Sequence, residues 1–164
     1  MEKTFVMSKF TLLLLFTCFC NSAIGSSQNI VGQKPEKNVP IIVSAAFNEQ
    51  FPSKEPVWFS NYQGRYNQKL VYEGRFIFDK RYSTAIYDFE GNMLAFAAKV
   101  ESNEIPEKAI EYMNDQFPAF PILDAILVTK KNNEVTYELG IMIDKEYIIK
   151  VFTEKGEFLR STRS

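Results

Sequence analysis

The 164-residue sequence contains no histidine, and both of its cysteines lie within the first twenty residues. Without histidine the chain can form neither a Ser-His-Asp nor a Cys-His catalytic group, and it has no imidazole to bind a metal or to switch with pH. Lys and Arg number 19 and Asp and Glu 20, which gives a formal net charge of −1. So balanced a chain has no electrostatic attraction for nucleic acid or for an anionic membrane.

The first 25 residues have the three parts of a secretory signal peptide. A start carrying two lysines precedes an uncharged, largely apolar run at residues 10–20. This run is too short to span a bilayer as a helix, which takes about 20 residues. Ala23 and Gly25 stand at positions −3 and −1 of a cleavage site. We therefore expect residues 1–25 to be removed after Gly25, leaving a periplasmic or extracellular chain with no membrane span.

Cleavage after Gly25 would also remove Cys18 and Cys20, so the mature chain would have no disulfide and no thiol nucleophile. Two alternatives remain open: the segment stays as a membrane anchor, or Cys18 carries a lipid as in bacterial lipoproteins. The bulky Phe16, two residues before Cys18, disfavours the lipid. Residues 26–37 show no hydrophobic period and predict a flexible lead-in.

The remaining sequence contains the same pattern twice. The segment Asn48-Glu49-Gln50-Phe51-Pro52 recurs 66 residues later as Asn114-Asp115-Gln116-Phe117-Pro118. Further matches follow at an offset of 65, among them Tyr72-Glu73 with Tyr137-Glu138 and Asp79-Lys80 with Asp144-Lys145. Agreement at so many places with one deletion indicates an internal repeat. It predicts two homologous modules, 38–100 and 104–164.

Each module begins with a pattern of period four and continues with one of period two. Val39, Val43 and Phe47 share one face of a helix, and Phe51 ends it because the next residue is proline. The alternation that follows, bounded by Asp-Lys and glycine turns, predicts four antiparallel strands. We therefore expect an α+β protein of two tandem modules, each with one helix packed on its own four-stranded antiparallel sheet.

A helix on one side of each sheet leaves the other side free for a partner. If Tyr72 and Phe76 pack on the helix, the opposite side mixes aromatic, long apolar and charged residues, as recognition surfaces do. An antiparallel sheet can also have one solvated face with no binding role, and this alternative stays open. The residues predicted to bind a partner on the free side are Glu73, Arg75, Tyr87, Glu138, Met142, Lys150 and Phe152.

The order of these motifs resembles a known family. Val39-Pro40, Phe47, Phe51-Pro52, Trp58 and the run Tyr87-Asp88-Phe89-Glu90-Gly91-Asn92 resemble a PepSY-like module, the group that includes β-lactamase-inhibitor-like domains of bacterial envelope proteins. The second module is similar but lacks the tryptophan. The resemblance implies helix-plus-sheet modules, an envelope location and no enzymatic activity. By analogy with tandem β-lactamase inhibitors, the two sheets would align into one concave surface around a partner, although no inhibitory loop carries over.

The carboxylates offer little catalytic chemistry. Glu101 and Glu104, like Asp79 and Asp88, fall in a linker and in turns, where solvated carboxylates are common. The segment Asp88-Phe89-Glu90-Gly91-Asn92 lacks the later ligand of a calcium loop and is typical of a turn. We expect no enzyme, no metal and no cofactor.

Two functions remain. The first is a secreted or periplasmic binding protein that recognises an unidentified envelope protein or peptide through an open sheet face, an inhibitor of an envelope enzyme being one form. The alternative is a structural or sensory envelope module that binds a small ligand between helix and sheet.

Overall fold

The computed structural model describes residues 34–63 and 69–163. Two helices, α1 (Ile41–Gln50) and α2 (Glu107–Gln116), and a short 3-10 helix (Ser102–Glu104) accompany eight strands. The strands are β1 (Val57–Gln63), β2 (Lys69–Phe78), β3 (Arg81–Asp88), β4 (Met93–Lys99), β5 (Asp124–Lys130), β6 (Val135–Ile143), β7 (Glu146–Thr153) and β8 (Phe158–Arg163). The predicted signal peptide, both cysteines and most of the predicted lead-in lie outside the described residues. Neither of the described helices is long and apolar enough to cross a membrane.

All eight strands form one antiparallel sheet in the order β1 to β8. Strand β4 of the first half pairs with β5 of the second, from Ala95 opposite Lys130 to Lys99 opposite Ile126. The prediction of two modules with separate four-stranded sheets is therefore wrong, although each half does contain one helix followed by four strands. The physical reason is that separate sheets would leave unpaired backbone groups along both β4 and β5, and pairing these strands satisfies them.

Proline sets both ends of each helix. Pro40 and Pro106 occupy the positions just before α1 and α2, where a missing N–H group costs no helical hydrogen bond. At the other end Phe51 donates its N–H group to the carbonyl of Phe47, 2.8 Å away, and the following proline prevents another turn.

Both helices pack against the same side of the sheet, which we call the helix face. Helix α1 buries Val43 and Phe47 against the side chains of Tyr72, Phe76, Ala85 and Tyr87. Helix α2 buries Ala109 and Met113 against Ala125, Leu139, Ile141 and Phe152. The first interface is aromatic: the ring centroid of Phe47 lies 4.8 Å from that of Phe76 and 5.4 Å from that of Trp58. Such edge-to-face contacts add to the burial of apolar area.

The opposite side, which we call the reverse face, carries an apolar strip made of strand residues only. The strip runs across the sheet from β2 to β7 and consists of Val71, Ile86, Ala95, Ala97, Ile126, Val128, Ile149 and Val151, all buried. It includes residues on both sides of the β4–β5 junction, so the two halves share this strip. The strip is a further reason to treat the sheet as a single unit.

Two-residue turns fix the register of the β2–β3 and β6–β7 hairpins. Asp79 and Lys80 have φ values of 46° and 64°, and Asp144 and Lys145 have φ values of 50° and 70°. Positive φ at both central residues is typical of the hairpin turns that match the twist of a sheet. Phe78 then lies directly opposite Arg81, so even-numbered residues of β2 pair with odd-numbered residues of β3.

Candidate recognition face of the sheet

The seven predicted binding residues do not share one face. Tyr72 pairs with Tyr87 and Tyr137 with Phe152, and directly paired residues point to the same side of a sheet. Tyr87, Lys150 and Phe152 therefore lie on the helix face, and their placement on the free side is wrong. The error arises because a two-residue turn exchanges odd and even positions between its strands. Glu73, Arg75, Glu138 and Met142 do lie on the reverse face.

Tyr87 is a core residue of the first half. Its ring centroid is 6.4 Å from that of Phe47 and 6.2 Å from that of Trp58. Its hydroxyl donates a hydrogen bond to Oε1 of Gln50 at 3.0 Å, which satisfies the one polar atom of the side chain. Burial raises the pKa of Tyr87 well above its ordinary value. Phe152 has the corresponding role beneath α2, where its ring centroid lies 5.5 Å from that of Tyr112.

Lys150 also has a structural environment under the end of α2. Its Nζ lies 4.0 Å from the ring centroid of Phe117 and donates a hydrogen bond to Oγ of Ser161 at 2.9 Å. Burial lowers its pKa below the ordinary lysine value. The cation is held by the aromatic ring and the hydroxyl on the helix face, and so does not meet a partner on the reverse face.

The reverse face of the first half is built around a buried ion pair. Arg75 Nη2 lies 3.0 Å from Oε2 of Glu73, and the two side chains are only 4% and 0% exposed. Asn61 Nδ2 donates to the other carboxylate oxygen at 2.7 Å. The guanidinium carbon of Arg75 stacks 4.1 Å from the ring centroid of Phe59. A charge pair with this many partners on strands is rigid.

The second half has the same glutamate in a different setting. Glu138 is buried at the position that corresponds to Glu73, but Gly140 replaces the arginine. The missing side chain lets Tyr147 cross strand β6, because a Cβ atom on Gly140 would overlap the tyrosine hydroxyl. That hydroxyl donates to Oδ2 of Asp124 at 3.3 Å. Burial is the main cause that raises the pKa of Tyr147, and the Asp124 charge adds to it.

One end of the reverse face exposes apolar side chains. Val57 is 50% exposed and Ile77 54% exposed, at the end of the sheet that carries the two-residue turns. Met142 and Tyr147, partly exposed, lie at the same end in the second half. The reverse face therefore combines a buried, paired polar centre with accessible apolar residues, the composition of a protein-binding patch.

Several residues of this face escaped the sequence prediction: Phe59, Asn61, Asp124, Tyr147 and Arg160. None of them lies on the same strand as the buried glutamate of its half, which is Glu73 on β2 or Glu138 on β6. Arg160, for example, shares a row with Glu138, because both are paired to Val151 of β7. Contacts between strands depend on where each strand begins and on its register with its neighbour. A local sequence pattern contains neither, so spacing alone could not identify these residues as part of the reverse face.

Two of the carboxylates that the sequence places in linker and turns, Glu104 and Asp88, have structural partners. Glu104 Oε2 accepts the backbone N–H of Glu101 at 2.8 Å, and Oε1 pairs with Arg81 at 2.8 Å. The first of these contacts, followed by that with Arg81, lowers the pKa of Glu104. Asp88 Oδ1 accepts the N–H groups of Glu90 and Asn92, as in a turn. Over residues 34–63 and 69–163, no three acidic or cysteine side chains cluster as metal ligands would.

Solved structures of low sequence identity share this fold. No protein-family model and no curated protein matches the chain. A candidate periplasmic protein of Bacteroides eggerthii aligns with a TM-score of 0.66 at 14% identity, over 77% of this chain and 89% of its own. A DUF2874 family protein of Bacteroides uniformis gives 0.64 at 13% identity, over 76% and 88%. A BLIP-like protein of Bacteroides fragilis gives 0.59 at 15% identity, over 83% and 92%.

These identities establish a similar fold and nothing more. The chain is thus an antiparallel protein with a BLIP-like fold, which agrees with the β-lactamase-inhibitor-like part of the resemblance noted from the motifs. The PepSY-like part stays a prediction.

Proposed function

We propose that the protein is a non-catalytic binding protein of the bacterial cell envelope that recognises a protein or peptide through the reverse face of its sheet. One observation carries the proposal: α1 and α2 both pack on the helix face, whereas the reverse-face strip contains strand residues only. A sheet face of this kind, with no described helix packed on it, suits a partner.

The composition of the reverse face supports recognition. Interfaces favour aromatic residues, methionine and arginine at their centre. Arg75 stacks on Phe59 in a buried layer, directly beside the exposed Val57 of β1. The Glu73 carboxylate holds the guanidinium in place, so little side-chain entropy would be lost on binding. Met142, which is partly exposed, extends the surface into the second half, above the buried layer that contains Glu138.

The envelope location rests on two supports. The expected signal peptide directs the chain out of the cytoplasm, and one neighbour of similar fold is a candidate periplasmic protein. Inhibition of an envelope enzyme is the more specific form of the proposal, and the BLIP-like neighbour motivates it. Inhibition is tested by an assay of its own, because proteins of one fold can differ in function.

The test changes the accessible end of the reverse face. Val57→Glu with Ile77→Glu places two charges on exposed apolar positions, where little folding energy is at stake. The matched control is Leu123→Glu, which alters an apolar residue of similar exposure outside the strands. A partner captured from envelope extract and then purified should bind the double variant at least about tenfold more weakly in calorimetry and bind the control normally.

Urea unfolding of each variant by circular dichroism shows whether its fold is retained. Equal partner affinity of the folded double variant and the wild-type chain would exclude the reverse face as the binding surface. The purified partner, if it is an enzyme, is then assayed for inhibition by the wild-type chain.

A small ligand between helix and sheet receives less support. In the first half this space holds the rings of Phe47, Phe51 and Phe76, with centroids 4.8–5.1 Å apart. Rings at these separations are in contact, which leaves no room for a ligand without repacking.

A further inference from the structure

The first turns of the two helices have the same exposure and opposite chemistry. Ile41 and Ile42 begin α1 and are 86% and 55% exposed. The first two residues of α2, Glu107 and Lys108, are likewise exposed, and buried, partly buried and exposed residues follow in the same order along the ten positions of both helices. Charged residues satisfy this environment in α2, so the isoleucines of α1 are not required by the fold.

A turn of the sheet adds a third apolar residue at the same corner. Gly91 lies against the first turn of α1, since a Cβ atom there would be 2.9 Å from the carbonyl oxygen of Ile42. Phe89, two residues earlier, is 61% exposed. Gly156 lies in the same way against Ala109 of α2, and there the residue corresponding to Phe89 is Glu154. We call Ile41, Ile42 and Phe89 the apolar corner.

The apolar corner is too small to hold two copies together. Three side chains with these exposures present roughly 400 Å² of apolar surface, whereas a stable dimer buries about 800 Å² on each partner. A lipid surface needs no complementary shape, and a small apolar contact can add to a second attachment.

The sequence before the apolar corner contains segments that could attach the chain to a membrane. The apolar run at residues 10–20 ends about twenty residues before Ile41, a length that spans at most about 70 Å of extended chain. A chain that retains this run, which can enter one leaflet although it is too short to span the bilayer, keeps the corner within reach of the membrane, and so does a chain that carries a lipid on Cys18. We propose that Ile41, Ile42 and Phe89 contact the lipid bilayer as the second attachment of an N-terminally anchored chain. The proposal is independent of the reverse face and favours the anchored alternatives over cleavage after Gly25.

The test places a tryptophan at equivalent positions of the two halves. The full chain, with its own N-terminal segment, is reconstituted into vesicles of phosphatidylethanolamine and phosphatidylglycerol that carry dibrominated acyl chains. Phe89→Trp reports on the apolar corner, and Glu154→Trp is the matched control, with Trp58 as a background common to both. We expect severalfold stronger quenching by the brominated lipid in Phe89→Trp than in Glu154→Trp.

A second change removes the contact without altering the fold. Ile41→Glu with Ile42→Lys gives α1 the residues that α2 already carries at the same exposures, so the helix is retained. In the Phe89→Trp background this change should reduce quenching to the level of the Glu154→Trp control. Equal quenching of both probes in the parent chain would overturn the proposal, as would a cell-derived chain that begins at Ser26 without a lipid. A dimer in detergent that the same double change dissociates would also overturn it, because a second copy would then cover the corner.

Discussion

The two halves of the sheet bury a glutamate at the same place and build different contacts around that position. In the first half Glu73 has its cation two residues along the same strand, in Arg75, at 3.0 Å. In the second half Gly140 occupies that position, and Tyr147 passes over it to reach Asp124. Asp124 in turn pairs with Lys99 of β4 at 3.0 Å. The first arrangement is local to β1 and β2, whereas the second connects four strands.

The difference indicates that the polar contacts of the second half join strands across the β4–β5 junction, whereas the ion pair of the first half lies within one strand. The contacts from Lys99 through Asp124 to Tyr147 join β4, β5 and β7, so they cross the junction between the halves. The Glu73–Arg75 contact joins two residues of β2 and lies on the reverse face of the first half. Matched substitutions in the two halves therefore separate the stability of the junction from that of the surface.

Removing the guanidinium in the first half should give the largest effect. Arg75→Met leaves the buried Glu73 carboxylate without its cation, and breaking a buried ion pair in this way costs about 3–5 kcal/mol. Urea unfolding followed by circular dichroism measures the change. The double variant Glu73→Gln with Arg75→Met should recover most of the loss, because no buried charge remains. A double variant as unstable as the single one would show that packing against Phe59, and not the charge, dominates.

The corresponding test in the second half is Gly140→Ala. The added Cβ atom overlaps the Tyr147 hydroxyl, so the ring must move and lose its hydrogen bond to a charged carboxylate. We expect a loss of about 2 kcal/mol in the free energy of unfolding. The control is Gly74→Ala in the first half, whose Cβ would lie 3.2 Å from the Trp58 ring and should cost less than about 1 kcal/mol. Equal losses in the two variants would show that the passage of Tyr147 over Gly140 adds no more to stability than ordinary packing at a strand glycine.

Alkaline unfolding compares the buried tyrosines of the two halves. Burial raises the pKa of Tyr87, and burial with the Asp124 charge raises that of Tyr147, from an ordinary value of 10.0. The folded chain keeps these protons when the unfolded chain begins to lose them, so stability should fall as the pH rises through about 10. Tyr147→Phe should cost about 1 kcal/mol at neutral pH and flatten this decline. Urea unfolding at neutral pH and just above pH 10 provides the check.

Tyr87→Phe gives the first-half counterpart. It too should flatten the alkaline decline, and both single variants should leave part of it in place. A Tyr147→Phe chain whose stability falls with pH as steeply as that of the wild type would contradict the raised pKa.

The sequence indicates local structure well and pairing between distant strands poorly. Proline before each helix, Phe-Pro at its end and the Asp-Lys turns are visible in a few consecutive residues, and the structure has helices and turns at these places. Strands β4 and β5 are separated in the chain by α2, so no short sequence pattern predicts that they pair. The face of Tyr87 could have been derived, because a two-residue turn at Asp79 and Lys80 already requires that odd positions face even ones.

The same turns offer the smallest and most symmetrical test of the two halves. Lys80 and Lys145 have φ values of 64° and 70°, a conformation that costs a residue with a Cβ atom about 1 kcal/mol. Glycine removes this strain but gains freedom in the unfolded chain, so Lys80→Gly should stabilise the protein by only about 0.5 kcal/mol. Lys145→Gly should give the same gain, because its hairpin has the same register. Lys80→Pro is the opposing control, since proline cannot adopt positive φ and should destabilise the hairpin. Thermal unfolding of the three variants decides the point: unequal gains at Lys80 and Lys145 would show that the halves differ in their turns as well as on the reverse face.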